Sequence, residues 1–155
     1  MKHILTGLLL TFIFVGFAHG REIAVTVHKV NSMNVGDSIG VIVAKQTPDG
    51  IKFTPYLSNL RPGSLQFSLN KHVGCQGKMA AHGAIPGMAA GTAIMQFPMI
   101  HVNSRGEATE AILVRDLKFD DIVGRTLVLG KPSTGNTASA WGQDRVACGS
   151  LETYK

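Results

Sequence analysis

From Glu22 onward the chain is cut into short alternating segments, with turn signals recurring about every 8–12 residues, and few folds fit that rhythm. In Glu22–Val30, Ile23, Val25 and Val27 fall on one face, with Thr26 and His28 on the other. Ser38–Gln46 is rich in β-branched residues and runs into Thr47-Pro48-Asp49-Gly50, a tight-turn signal that returns the chain along Ile51–Leu57. Further strands are expected at Leu65–Lys71, where Leu65, Phe67 and Leu69 share a face, and at Ala93–Val102, Glu107–Arg115, Arg125–Leu129 and Arg145–Leu151. Phe119–Val123 reads as a short helix. Short strands without any helix of three turns predict an all-β fold, an eight-stranded barrel or sandwich. Two stretches lack a period, 72–92 and 131–143, and long loops on a rigid β scaffold are where function tends to sit.

The first twenty residues differ from the rest. Met1-Lys2-His3 is a short positive start, Ile4–Phe17 is apolar, and Ala18-His19-Gly20 puts small residues before a cut after Gly20. That layout predicts a signal peptide, with Arg21–Lys155 as one mature domain in the periplasm or outside the cell. The apolar run is shorter than the ~20 residues a membrane-spanning helix needs, so no membrane span is expected. The formal charge of +5 comes from scattered basic residues, and one Trp and two Tyr give no aromatic–basic interleaving, which argues against nucleic acid. Cys75 and Cys148 are the only cysteines. After export an even pair reads as a disulfide; a metal pair or two free thiols are the alternatives.

Several segments together resemble one family, the bacterial periplasmic copper–zinc superoxide dismutases. Arg61–Cys75 reads RPGSLQFSLNKHVGC, against a family strand P-P-G-x-H-G-F-H-I-H with a cysteine five residues on. VGDSIGVIVAKQTPDGIKFTPYLSNLRPG, FPMIHVNSRGEAT and DRVACGSLE follow further family patterns in the same order. The resemblance implies a Greek-key barrel in which Cys75 bonds to Cys148, as a monomer or homodimer. It also shows departures. Ser68 and Asn70 stand where the family has copper histidines, Gly130 at or beside the last copper histidine, and Ala93 and Gln96 at zinc positions. His82 alone lies near the place of the bridging histidine. Arg145 matches the arginine that sits beside copper in the family; it is either a hydrogen-bonder to the Cys75 loop or a retained anion site.

Serine, asparagine, alanine and glycine do not supply the imidazole or carboxylate that copper and zinc need. The expectation from sequence is therefore a protein that is not an enzyme and holds no cofactor, acting on an unidentified protein or small-ligand partner. Two alternatives stand beside it. One is a dismutase with a different ligand set, for which only His28, His72, His82 and His101 are left in the mature chain. The other is Cu(I) binding at Met79, His82 and Met88, since thioether and imidazole form a soft ligand set. Against the latter, Met88, Met95 and Met99 would serve equally as fillers of barrel gaps or as a plain apolar patch.

Overall fold

A computed structural model of the chain describes residues 20–31, 34–81, 83–132 and 144–152. The proposed signal segment falls almost wholly outside them, as do His82 and most of the 131–143 loop. Among the described residues no helix is long and apolar enough to cross a membrane.

The strands are β1 (Glu22–Val30), β2 (Val35–Thr47), β3 (Gly50–Leu57), β4 (Gly63–Asn70), β5 (Lys78–Ala80), β6 (Gly83–Ile85), β7 (Ala93–Val102), β8 (Ile112–Arg115), β9 (Arg125–Gly130) and β10 (Arg145–Leu151). A short helix, α1, spans Phe119–Ile122. Eight strands make one antiparallel sheet in the order β7-β4-β9-β10-β1-β2-β3-β8, and β5 and β6 form a separate hairpin. The order is a Greek key. β1 to β3 run as a meander, then the chain crosses to lay β4 beside β9, and crosses again to set β8 against β3. The sheet curls into a nearly closed barrel whose seam lies between β7 and β8, each paired on one side only.

The alternating pattern places the core. Val25 and Val27 of β1, Ile42 and Ala44 of β2, and Ile51 and Phe53 of β3 are buried, as are Phe67 and Leu69 of β4. Phe53, Phe67 and Phe97 form a ring cluster with centroids 5.3, 5.1 and 4.9 Å apart, distances at which aromatic pairs add to simple burial. The Pro48-Asp49 turn pairs Thr47 with Gly50. Gly50 must be glycine: its φ is +147° and a Cβ there would lie 2.1 Å from the Val114 carbonyl oxygen on β8.

Two strands depart from the expected alternation. The segment expected over Glu107–Arg115 is a strand only from Ile112, preceded by an isolated bridge between Ala108 and Leu57. Its start is taken by a turn, in which the Asn103 side-chain oxygen accepts from the Arg105 and Glu107 amides. In β7 the register slips opposite Gln66, between Phe97 (paired with Phe67) and Ile100 (paired with Leu65). A bulge of this kind gives one strand an extra residue and reverses the facing of everything after it. Ile100 and Val102 consequently point inward, and Met99 and His101 outward.

Candidate functional site

The 72–92 segment is folded back over the outer face of β4, β9 and β10. It closes on itself through the amide of His72 to the Ala90 carbonyl (2.9 Å) and of Ala89 to the Gln76 carbonyl (2.9 Å). The Cys75–Cys148 disulfide joins it to β10 with the two Cα atoms 5.9 Å apart. Under it Cys75, Ala90, Val128 and Cys148 form a second, smaller apolar cluster outside the barrel. Thr126 of β9, fully buried, is a further anchor. Its hydroxyl donates to the His72 carbonyl (2.7 Å) and accepts from the Gly74 amide (3.1 Å). Sequence reasoning missed this residue; the signal was a lone polar side chain in the apolar run RTLVLG.

Cover from this loop explains why β4 is buried on both faces toward its end. Ser68 and Asn70 occupy the outward positions, yet are 8% and 1% exposed. Ser68 donates to the Asn70 side-chain oxygen (2.9 Å), and the Asn70 amide donates to the Gly91 carbonyl (2.8 Å). The Arg145 guanidinium donates to that same carbonyl and to that of Gly87. It forms no ion pair among the described residues, and burial lowers its pKa below the ordinary arginine value. Gly91 has φ +74°, and a Cβ there would meet the His72 ring at 2.5 Å, so only glycine turns its carbonyl toward both donors.

The positions singled out from sequence do come together in part. Across β4 and β7, Ser68 pairs with Gln96 and Asn70 with Ala93. Gly130 pairs with Gln66 and with Arg145. Gln96 and Ala93 are exposed. A hydroxyl and a carboxamide, each committed to another protein group, are not the donors a copper–zinc pair takes. These residues do not fit that pair, and among the described residues no three His, Cys, Asp or Glu side chains gather elsewhere. The methionines differ from the packing alternative: Met79, Met88, Met95 and Met99 are 70%, 39%, 38% and 57% exposed. They fill no gap in the barrel.

Asn70→Ala should cost about 1–3 kcal/mol, because the buried Ser68 hydroxyl loses its acceptor and Gly91 one of its donors. Urea unfolding measures this; a midpoint equal to wild type would show the network to be idle.

No family model matches the chain. The copper–zinc superoxide dismutase of Escherichia coli K12 is 28% identical, over 83% of this chain and 87% of that protein. That of Legionella pneumophila is 27% identical, over 92% and 94%. The solution structure of the monomeric copper, zinc superoxide dismutase from Salmonella enterica superposes with a TM-score of 0.75 at 27% identity, covering 84% of this chain and 99% of that one.

These relatives overturn two expectations drawn from the sequence: a protein that is not an enzyme, and one without a cofactor. Every relative named above is a dismutase of copper and zinc, which points to enzyme and metals. Lost donors at inherited positions are one step short of lost metal altogether. That step fails physically wherever other donors remain at the surface, as thioethers do here.

Proposed function

We propose, on the premise that its homologues are bacterial copper–zinc superoxide dismutases, that this is an exported superoxide dismutase-like protein that takes copper as Cu(I) through its 72–92 loop. The observation that carries the reading is the exposure of Met79 and Met88 on a segment otherwise pinned by a disulfide and by buried hydrogen bonds. Methionine usually enters cores. Held in solvent, its thioether is a soft donor, and softness is what selects Cu(I) over zinc, calcium or magnesium. His82 joins the ligand set on its place in the sequence. The relatives' chemistry enters with the metal, because dismutation needs an ion that moves between two oxidation states. Ser68 and Asn70 take no part in holding it. Export rests on the charged, apolar and small-residue regions of residues 1–20.

Competition with a chromophoric Cu(I) chelator under reducing conditions tests the site. Wild type should withdraw copper. The Met79→Leu, His82→Ala, Met88→Leu variant should lose at least the roughly tenfold in affinity that even an outer partner of a metal ligand contributes. Equal competition by the two proteins overturns the loop site. Superoxide removal by the copper-loaded protein is measured beside the same variant and free copper. A faster rate for wild type supports the dismutase reading; a rate matched by the variant confines the loop to copper uptake.

A further inference from the structure

A cavity of about 300 Å³ opens at the barrel seam, lined by Pro98, Met99 and His101 of β7 and by Glu110, Ala111, Ile112 and Leu113 leading into β8. We infer that Met99 and His101 form a second Cu(I) site there, separate from the 72–92 loop and independent of whether that loop binds copper.

The bulge in β7 brings the two donors to one face. By plain alternation from buried Phe97, Met99 would face the core. The register slip opposite Gln66 turns it out, beside His101. The two residues then stand at i and i+2 on one face of an edge strand, with Cα atoms about 6.6 Å apart. Metal–nitrogen and metal–sulfur bonds of about 2.0 and 2.3 Å place the two donor atoms within about 4.3 Å of each other when an ion lies between them. Flexible Met and His side chains rooted 6–7 Å apart reach that separation without moving the backbone. Among the described residues, neither the His101 ring nor the Glu110 carboxylate has a hydrogen-bond or ion-pair partner. No local bond must break for metal to bind.

The chemistry selects the ion. Thioether and imidazole complete a low-coordinate Cu(I) site. Zinc would have only His101 and Glu110 from the protein, short of the three or four ligands it takes. Glu110, on the opposite wall, supplies the negative charge that balances a monovalent ion bound by two neutral donors. It also favours entry of a cation into a cleft with one low-dielectric wall.

The test uses a Met79→Leu, Met88→Leu parent in which the loop is silenced. This parent should take one Cu(I) per chain from the chromophoric chelator. Adding Met99→Leu and His101→Gln should weaken that binding by roughly tenfold or more. X-ray absorption of the copper-loaded parent should show sulfur together with imidazole scattering, and the imidazole signal should vanish with His101→Gln. Met79, Met88, Met99 and His101 are all exposed, so thermal midpoints should match wild type and loss of fold does not confuse the result. A parent that takes no Cu(I), or a seam variant that competes as its parent does, overturns the site. If wild type and parent bind alike, the loop reading fails while the seam site stands.

Discussion

Phe67→Ala should remove about 3–5 kcal/mol of folding stability, the range for deleting a buried aromatic side chain. The upper part of that range is expected for three reasons. Phe67 is 0% exposed, so there is no solvent into which the cavity can open. Its ring is packed edge-on to Phe53 at 5.3 Å and to Phe97 at 4.9 Å, so two aromatic contacts go with it. And β4 is an interior strand, paired with β7 on one side and β9 on the other, which limits collapse into the space. Against a typical total of about 5–15 kcal/mol, the loss is a large share of what holds the barrel together. Urea unfolding should give a lower midpoint at an unchanged slope. Phe67→Leu, which keeps most of the volume, should lose clearly less. A cost for Phe67→Ala under about 1 kcal/mol would mean that the three rings are not a core.

Most of the barrel was legible in the sequence, because a strand with one face in the core writes its register as alternation. β1, β7 and β10 have the bounds expected, and the Pro48-Asp49 turn sits between the strands it was expected to join. Alternation stops being informative where something other than the two faces of a sheet decides burial. At Ser68 and Asn70 the outward face is covered by a loop, so polar residues lie at buried positions and satisfy one another. At Met99 a single extra residue reverses the face, and parity read from Phe97 gives the wrong side. At Glu107 the side-chain oxygen of Asn103 captures amides that a strand would have used. The site was legible as residue types and not as partners. Arg145 could be picked out, but its two carbonyl acceptors, Gly87 and Gly91, are defined only once the loop is folded. The metal question was misjudged for a related reason: donors were counted at inherited positions, whereas a soft ion responds to any thioether and imidazole that the fold leaves in solvent.

The loop's dependence on its covalent anchor gives the second large effect. Cys148→Ser, or reduction of the native protein, should cost about 4 kcal/mol. In the chain-entropy model a bridge between residues 73 apart in sequence restricts the unfolded chain by that amount. The loss should not be spread evenly. The barrel core lies on the other side of the sheet and keeps its burial, whereas the apolar cluster beneath the loop has the disulfide as half its members. What remains over β9 and β10 is a set of hydrogen bonds: Thr126 to His72 and Gly74, Ser150 to Gly74, Asn70 to Gly91, and Arg145 to Gly87 and Gly91. With the bridge gone, the end near Cys75 keeps only neutral bonds to the Thr126 and Ser150 hydroxyls, while the far end keeps the charged Arg145 guanidinium as well as Asn70, so the end near Cys75 should open first. Hydrogen exchange should therefore show early loss of protection at Gly74 and Ala89, with the β1 and β2 amides protected up to global unfolding. Uniform loss of protection across loop and barrel would show that the two unfold as one unit, with the bridge stabilising the whole sheet.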